Sequence, residues 1–461
     1  MKLFGQHVHA PILLLAAAEY GLAALAFALA VSLLVGGGID VANVDQRALP
    51  WVFGFSTAVV LGLTAVGLYQ PKQRLRAEGV VIRLVAALGL AVLSLAIVDL
   101  FYPVGRDGPI WALSFLLSFG MLGVARVCFG KFVDHEAFRR RVLVYGAGDR
   151  AASLLKLRRR SDQRGFKIAA FLPALSDRQT LQDSRVLAAA PSNLLAYAQE
   201  HDIDEIVVAM DERRAGFPIK DLLECRFNGI AVTDLLTFLE RETGKVKVDL
   251  MNPAWLIFSE GFSGKPARAS ASRLLDLFVA TLLALFSFPI TAAVAFAIVL
   301  EDGRPILYRQ KRVGYGGRVF TLYKFRSMIH NAESEGRAQW ADAADPRVTR
   351  VGRIIRKLRL DELPQLFNVI RGDMSLVGPR PERPEFVGSL SHMIPYYHER
   401  HSVKPGITGW AQLCYPYGSS ENDAMEKLQY DLYYVKHRSL VFDLMVILQT
   451  VEVVLWGKGA R

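Results

Sequence analysis

The chain has 461 residues, of which 52% are hydrophobic, and its mean hydropathy is +0.25. This composition is high for a soluble protein and predicts two or three domains with a membrane component. The net charge of +11 favours anionic partners, which could be nucleic acid, phospholipid headgroups or phosphorylated substrates. The three scattered cysteines, Cys128, Cys225 and Cys414, exclude a Cys-x-x-Cys metal pair and an even disulfide framework, and they indicate a reducing compartment.

Four apolar segments near the N-terminus predict a transmembrane helical bundle over residues 1–135. The segments are 11–35, 51–69, 80–101 and 110–129. Each approaches the length that a helix needs to cross a hydrocarbon core of about 30 Å. The alternative is a buried, soluble helical core, but that would require four consecutive segments of near-membrane length.

The distribution of basic residues predicts the orientation of this bundle. Lys72, Arg74 and Arg76 lie between the second and third spans, and Lys131 and Arg139 follow the fourth. The first and third loops carry one arginine each. Because positive charge collects on the cytoplasmic side, both ends of the bundle are expected there.

Residues 136–265 alternate short apolar runs with helical patterns, as an α/β domain does. A run at 142–145 enters a turn with Gly146 and Gly148, whose small size would allow close approach to a pyrophosphate. Further strands are expected at 168–172, 205–209 and 229–233. The pattern predicts a Rossmann-like, doubly wound domain, with Gly146 and Gly148 as candidate nucleotide-binding residues. No acidic residue follows the second strand, which favours structural or regulatory use of the turn over nucleotide binding.

The third domain, 266–461, begins with a second kind of membrane segment. Residues 274–300 are apolar and long enough to span, but Pro289 lies in the middle, where it removes a backbone donor and favours a kink. Basic residues flank both ends of the segment, so neither crossing direction is favoured. We therefore predict a re-entrant helix that keeps both ends cytoplasmic. The alternative is a kinked fifth span that carries the residues after it to the outside.

Asp361 and Glu362 form a carboxylate pair within a strongly basic run. Consecutive residues of a helix or tight turn point in different directions, so the two carboxylates can face two reactants. Nearby guanidinium groups match the geometry of phosphate oxygens. Taken alone, the pair is better explained as the opening of a helix before Pro364, where negative charge complements the helix dipole.

The wider pattern reverses that preference, because four motifs follow one another in a single segment. They are Lys324-Phe325-Arg326-Ser327-Met328, Asp361-Glu362-Leu363-Pro364-Gln365, Gly378-Pro379-Arg380-Pro381-Glu382 and Lys404-Pro405-Gly406-Ile407-Thr408-Gly409-Trp410. In this order they resemble the bacterial sugar transferase family, the polyprenyl-phosphate hexose-1-phosphate transferases. The resemblance covers about 272 to the C-terminus, and the whole chain looks like the long, exopolysaccharide-type members.

The resemblance implies a role for each candidate residue. Asp361 would be the nucleophile that forms a phosphosugar-aspartyl intermediate and releases UMP, and it would also ligate Mg²⁺. Glu362 would assist the incoming polyprenyl phosphate. The phosphate-binding candidates are Lys324, Arg326, Arg356 and Arg380, with Pro379 and Pro381 restricting the backbone that presents Arg380. Ser287 and Pro289 would form the break in the re-entrant helix, although Phe288 separates the two residues that the family places together.

The implied architecture is a membrane α-helical bundle, a cytoplasmic Rossmann-like α/β domain and a mostly α, membrane-associated catalytic domain with a re-entrant helix. The expected location is the bacterial inner membrane, with the catalytic domain on the cytoplasmic face. The expected partners are a UDP-sugar, undecaprenyl or another polyprenyl phosphate and the bilayer, with a homodimer and downstream glycosyltransferases as further partners and no nucleic acid.

Two other functions compete with this one. A membrane-attached nucleotide-sugar dehydratase or epimerase would need a Tyr-x-x-x-Lys pair, which the sequence lacks. A non-enzymatic scaffold that senses nucleotide through the central domain would leave the Asp361 and Arg380 motifs without a purpose.

Overall fold

The computed structural model describes residues 2–3, 6–7, 10–35, 49–69, 77–101, 108–132, 139–157, 165–174, 177, 180–212, 216–251, 253–259, 261–262, 266–329, 347–415, 418 and 420–456. The chain forms two compact units, one of Met1–Leu3 with His7–Met251 and the other of Phe4–Gln6 with Asn252–Arg461. The finer division into domains 1–135, 136–265 and 266–461 stays a prediction.

The N-terminal part of the chain has two short strands and four apolar helices. They are β1 (Lys2–Leu3), β2 (Gln6–His7), α1 (Ala10–Val35), α2 (Leu49–Ala65), α3 (Ala77–Phe101) and α4 (Gly108–Phe132). Within the described ranges, four helical stretches are long and apolar enough to cross a membrane, namely Leu13–Leu34, Gly79–Asp99, Gly108–Phe129 and Ala269–Asp302. The first three match predicted spans, and the fourth lies in the second unit. The predicted basic loop with Lys72, Arg74 and Arg76 falls outside the described residues.

The second predicted span, 51–69, is shorter than expected because α2 ends at Ala65. Gly67 adopts a positive φ of 74°, and the amide of Leu68 donates to the carbonyl of Leu63, which closes the helix with a left-handed turn. The guanidinium of Arg83 donates to the Val66 carbonyl at 2.6 Å. Arg126 donates to the Leu68 carbonyl at 3.0 Å, so arginines from α3 and α4 satisfy the end of α2.

A buried charge pair joins the first and last helices of this set. Glu19 on α1 is fully buried, and its carboxylate lies 2.8 Å from Nε of Arg126 on α4. The hydroxyl of Tyr69 donates to the same carboxylate at 2.5 Å. Paired charges of this kind are the form in which ionisable side chains are tolerated between apolar helices.

The rest of the first unit is an α/β arrangement. Its elements are β3 (Arg140–Tyr145), α5 (Asp149–Leu155), β4 (Phe166–Leu172), α6 (Leu194–Glu200), β5 (Glu205–Val208), α7 (Ile219–Phe227), β6 (Ala231–Asp234) and α8 (Leu235–Thr243), followed by a 3₁₀ turn at Val248–Leu250. The four strands form one parallel sheet in the order β4-β3-β5-β6. All four predicted strands are therefore confirmed. Buried apolar side chains cover both faces of the sheet, as a parallel sheet requires.

The second unit is mostly helical. Its elements are α9 (Pro253–Phe258), α10 (Pro266–Asp302), β7 (Leu307–Val313), β8 (Val319–Phe325), α11 (Arg350–Lys357), α12 (Gln365–Arg371), β9 (Ser375–Val377), α13 (Pro384–Met393), β10 (Gly406–Thr408), α14 (Trp410–Cys414), α15 (Glu421–His437) and α16 (Leu440–Trp456), with 3₁₀ turns at Tyr315–Gly317, Leu360–Glu362 and Tyr397–Ser402. Strands β7 and β8 form an antiparallel hairpin, and β9 pairs with β10 in parallel.

Helix α10 has contacts with the rest of the second unit near both of its ends. Arg273 donates to the carbonyls of Val369 and Ile370 at the end of α12, at 2.6 and 2.7 Å. At the other end, the Glu301 carboxylate accepts from the amides of Arg350 and Val351 at the start of α11. The helix is assigned without interruption across Pro289.

The two C-terminal helices differ in how far their side chains are buried. Residues 428–435 of α15 are all buried, so this stretch is core. Helix α16 is mixed, since Phe442 and Val446 are buried while Leu440 and Leu444 are 40% and 47% exposed.

Candidate active site

The carboxylate pair lies in a tight turn between two short helices. Arg359 has a left-handed backbone, with φ 56°, and the 3₁₀ turn Leu360–Glu362 follows it directly. Pro364 is then the N-cap of α12. Residues of a 3₁₀ turn are about 120° apart, so the side chains of Asp361 and Glu362 point in different directions. Asp361 and Glu362 therefore both precede the start of a helix and form a carboxylate pair, so the two interpretations of the sequence are compatible.

Glu362 is held by two cations from different elements. Its Oε1 accepts from Nζ of Lys324 on β8 at 3.1 Å and from Nη2 of Arg380 at 2.9 Å. Its side chain is only 11% exposed. Although burial acts to raise it, Lys324 and Arg380 hold the pKa of Glu362 well below its usual range. The carboxylate is thus ionised and fixes both cations at one point.

Asp361 lies near the same cations, Lys324 and Arg380, whose hydrogen bonds go to Glu362. Burial raises the pKa of Asp361, and the neighbouring charges of Lys324, Arg380 and Arg356 oppose this rise. Arg359 adds a further positive charge near Glu362. Four cations therefore surround two carboxylates, which leaves positive potential for a ligand with several negative oxygens.

Arg380 is presented by a backbone whose carbonyl groups are individually held. The carbonyls of Pro379, Pro381 and Glu382 accept from the amide of Gly406, the guanidinium of Arg312 and the amide of Val313, at 3.0, 3.0 and 2.9 Å. The Gly378 amide donates to the Thr408 carbonyl at 2.9 Å. Since the prolines also restrict φ, the segment forms a rigid frame for the Arg380 side chain.

Asn368 joins the elements that carry the two halves of the site, and sequence reasoning missed it. It is fully buried, donates to the Thr321 carbonyl at 2.8 Å and accepts from the Tyr323 amide at 3.1 Å. These bonds fix β8, and with it Lys324, against α12. A polar residue within the apolar run 366–370 is the signal that could have indicated this contact.

Arg326, the remaining phosphate-binding candidate, is directed elsewhere. It is 7% exposed and donates to the carbonyls of Asp302 and Gly303 at 2.7 and 2.8 Å, with the Asp302 carboxylate 3.2 Å away. The structure therefore places Arg326 as a cap on the C-terminus of α10, where a cation complements the helix dipole.

Ser287 and Pro289, the residues of the predicted membrane break, lie in the middle of α10, which is continuous there, so the break stays a prediction. Leu285, Phe286, Phe288 and Ile290 are 69%, 54%, 67% and 48% exposed, and Pro289 lies among them. The Ser287 hydroxyl is buried and has no hydrogen-bond partner. A run of exposed apolar side chains of this kind suits a lipid environment.

The glycine turn of the first unit has the geometry of an anion site, but the chain's own carboxylates fill it. The amides of Asp149 and Arg150 donate to the Asp211 carboxylate at 3.0 and 2.8 Å, and the Ala147 amide donates to Asp177 at 2.9 Å. A Cβ at Gly148 would overlap the Asp211 carboxylate. Gly148 is thus required by an internal contact, which favours structural use of the turn.

The acidic residues near the site fit a magnesium ion better than a closed metal centre. In the part of the chain that the structure describes, no group of three or more His, Cys, Asp or Glu side chains could hold a metal. Mg²⁺ does not need such a cage, because it commonly uses one or two carboxylates, several waters and the phosphates of a substrate. Asp361 can supply the single carboxylate.

The second unit is similar in sequence to a known family of proteins. Residues 267–457 match a family model described as bacterial sugar transferase. This range contains the carboxylate pair, Lys324 and Arg380.

Curated relatives extend the similarity beyond this range. The UDP-N-acetylgalactosamine-undecaprenyl-phosphate N-acetylgalactosaminephosphotransferase of Aeromonas hydrophila is 43% identical over 252 residues, which cover 54% of this chain and 58% of that protein. The undecaprenyl-phosphate glucose phosphotransferase of Komagataeibacter xylinus is 32% identical over 389 residues, covering 81% of this chain and 71% of the relative. The UDP-glucose:undecaprenyl-phosphate glucose-1-phosphate transferase of Escherichia coli is 32% identical over 357 residues, or 74% of each chain.

Proposed function

The chain belongs to the bacterial sugar transferase family of enzymes, and from this premise we infer that it transfers a sugar 1-phosphate from a UDP-sugar to undecaprenyl phosphate or a similar polyprenyl phosphate. The products are UMP and a polyprenyl diphosphate sugar, the first membrane intermediate of an exopolysaccharide or related glycan. The observation that carries this proposal is the convergence of Lys324 and Arg380 on Glu362 beside Asp361. Positive charge around an available carboxylate suits attack on a diphosphate.

The reaction proceeds in two displacements. A carboxylate oxygen of Asp361 attacks the phosphorus that carries the sugar, the bond to the UMP oxygen breaks, and UMP leaves. An oxygen of the polyprenyl phosphate then attacks the same phosphorus, and the bond to Asp361 breaks. This division of one transfer into two steps is nucleophilic catalysis, and the second nucleophile needs little deprotonation near neutral pH.

Glu362 supports this reaction through the cations that it holds. One oxygen of its carboxylate accepts hydrogen bonds from both Lys324 and Arg380. Removing the carboxylate would therefore release two phosphate-binding groups at once. Arg356 contributes positive charge near Asp361 from α11. When bound at Asp361, Mg²⁺ supplies further charge neutralisation for the donor's diphosphate.

The contacts at the two ends of α10 support a re-entrant membrane helix. A straight helix would separate Arg273 from Glu301 by about 42 Å at 1.5 Å per residue. Both residues bind within the same unit, to α12 and α11. A bend at Pro289 would bring both ends to one face of the bilayer while the exposed apolar middle enters the lipid. The location that we propose for the catalytic unit is the cytoplasmic face of the inner membrane, since nucleotide sugars are made in the cytoplasm and the basic residues of the sequence favour that side.

The parallel sheet of the first unit supports a Rossmann-like domain that is used structurally. Because carboxylates occupy its glycine turn, it offers little to a nucleotide-sensing scaffold or to a dehydratase. A homodimer and downstream glycosyltransferases remain expected partners of the membrane-bound enzyme.

The proposed activity is tested by incubating membranes that contain the protein with polyprenyl phosphate and a panel of UDP-sugars. The panel contains UDP-glucose and UDP-N-acetylgalactosamine, because both sugars occur in the names of the relatives. We expect UMP release that depends on the lipid phosphate and on one preferred sugar. UMP release from none of the UDP-sugars would contradict the proposal.

The membrane arrangement is tested by cysteine labelling in intact cells after replacement of Cys128, Cys225 and Cys414. Single cysteines at the exposed positions Ser270 and Ser389, on either side of the re-entrant segment, should both resist an impermeant thiol reagent and react after permeabilisation. A cysteine at Asn43, in the first predicted external loop, serves as the positive control. Labelling at Ser389 alone in an active enzyme would show that the segment crosses the bilayer.

A further inference from the structure

Arg400 binds the backbone of Arg380 through a hydrogen bond to its carbonyl group. Arg400 belongs to the 3₁₀ turn Tyr397–Ser402 and is 5% exposed. Its Nη2 donates to the Arg380 carbonyl at 2.9 Å, and its Nη1 donates to the Tyr397 hydroxyl at 2.8 Å. The guanidinium also lies over the Tyr397 ring, 5.2 Å from its centre. Arg400 therefore holds the main chain of the residue whose side chain reaches Glu362.

Asp431 on α15 supplies the counter-charge for this buried guanidinium. It is 2% exposed, and its Oδ2 lies 2.8 Å from Nη2 of Arg400. A buried arginine without such a partner is strongly destabilising. One turn later on α15, the Tyr434 hydroxyl lies 3.1 Å from the Val377 carbonyl oxygen and 2.7 Å from the Asp443 carboxylate. Helix α15 thus supports the segment that presents Arg380 at two points.

We propose that Arg400 and Asp431 are positioning residues for the transfer reaction, which set the backbone of Arg380 so that its guanidinium meets the phosphates of the donor. The inference rests on the proposed function and adds two residues that do not touch the substrate. A small cavity lined by Pro379, Arg380 and Arg400 lies behind the segment.

The pair also predicts a pH dependence. Burial raises the pKa of Asp431 to about 6, while Arg400 acts to lower it. The charged and titratable groups that face Asp431 are Arg400 and Tyr397 from the 3₁₀ turn, Glu382 from the Arg380 segment and Lys427 from α15. Because the ionised form of Asp431 pairs with Arg400, positioning is complete above pH 6 and is lost as the pH falls through that value.

The decisive comparison is between wild type and Asp431→Asn in the full-length protein. We expect the variant to lose about 10- to 100-fold in kcat/KM at pH 8, because a small displacement of a phosphate-binding group has effects of this size. The decline in wild-type activity near pH 6 should be flattened in this variant and retained in Asp431→Glu. A wild-type pH profile in Asp431→Asn, at any activity, would overturn the proposal.

A second measurement does not depend on the reaction. Hydrogen–deuterium exchange of the peptide 375–390 should be faster in Asp431→Asn than in wild type, and a milder increase is expected for Tyr397→Phe, which removes one hydroxyl. Unchanged exchange in a folded variant would overturn the positioning role even if the enzyme works. Faster exchange in Asp431→Asn, together with a wild type that releases no UMP, would instead reject the proposed function alone.

The matched control is Arg241→Gln in the first unit, which breaks another buried pair, with Glu205 at 2.7 Å. It should leave the pH profile and the exchange of 375–390 unchanged. If Arg241→Gln flattened the profile as Asp431→Asn does, general destabilisation would explain both results and the positioning role would be rejected. If Asp431→Asn does not fold, Tyr397→Phe decides the question: exchange equal to wild type rejects the proposal, and faster exchange with reduced kcat supports it.

Discussion

Two regions of this molecule have groups that suit an anion, and they differ in what occupies those groups. At the glycine turn of the first unit, the backbone amides bind Asp211 and Asp177, so the chain supplies its own anion. At the carboxylate pair of the second unit, four cations face two carboxylates, and positive charge remains for a substrate. A glycine motif therefore indicates the conformation of the backbone. Whether it binds a ligand depends on whether its amide groups already donate hydrogen bonds to other residues of the chain.

The largest expected effect tests the second region directly. Asp361→Asn should reduce UMP release by about a thousandfold or more, because an amide is a poor nucleophile and a weak ligand for Mg²⁺. Glu385→Gln, at an exposed position of α13, is the control and should stay close to wild type. Turnover near that of wild type by Asp361→Asn would remove the central residue of the mechanism.

Metal removal should come next in size. Excess EDTA is expected to lower UMP release by about 100-fold or more, since a carboxylate cannot easily approach a diphosphate whose charge is not neutralised. Added Mg²⁺ should restore the rate. Full activity in EDTA would mean that the four cations suffice without a metal.

Glu362→Gln separates the two carboxylates of the site. We expect a loss of about 100-fold in kcat/KM, because Lys324 and Arg380 lose the charge that fixes them. Since Asp361 remains, mass spectrometry of the protein quenched with donor alone should still detect a phosphosugar adduct on Asp361. If neither this variant nor wild type yields an adduct, a single direct displacement replaces the two-step route.

The smallest effect on activity is expected in the first region. Gly148→Ala places a Cβ against the Asp211 carboxylate and should destabilise the first unit by about 1–3 kcal/mol, the usual cost of overpacking. UMP release below the unfolding temperature should change by no more than about twofold, because the turn binds no substrate in our proposal. Gly388→Ala, where no atom lies within 4 Å of the added Cβ, is the control for thermal unfolding. A large fall in activity without a change in thermal stability would give the turn a direct role.

Sequence patterns predicted the elements better than the contacts between them. The four strands and the turn at Gly146 follow from local apolar runs and glycines, which act over a few residues. The carboxylates that fill this turn come from positions 30 to 62 residues away, and no local pattern encodes that pairing. The binding of Asp177 and Asp211 to the turn could not be predicted, because it depends on tertiary contacts.

The candidate site shows the same limit. The motif order placed Asp361, Glu362, Lys324 and Arg380 together, and the structure brings them together. Arg326 belongs to the same motif as Lys324, yet it lies beyond the end of β8, where the alternation of strand side chains no longer determines its direction. The left-handed backbone of Arg359 was also unpredictable, because non-glycine residues rarely adopt it.

The contact between Glu19 and Arg126 has a consequence for how the protein is made. The two residues are 107 positions apart, on the first and the last helix of the N-terminal set. During synthesis α1 enters the bilayer long before α4 exists, and an unpaired charge near the middle of a membrane helix costs about 2.5–3.5 kcal/mol on insertion scales. A ribosome that stops after α3 leaves Glu19 without its arginine. The buried pair can therefore form only after the fourth helix has been made, so its contribution to the bundle arises late in synthesis.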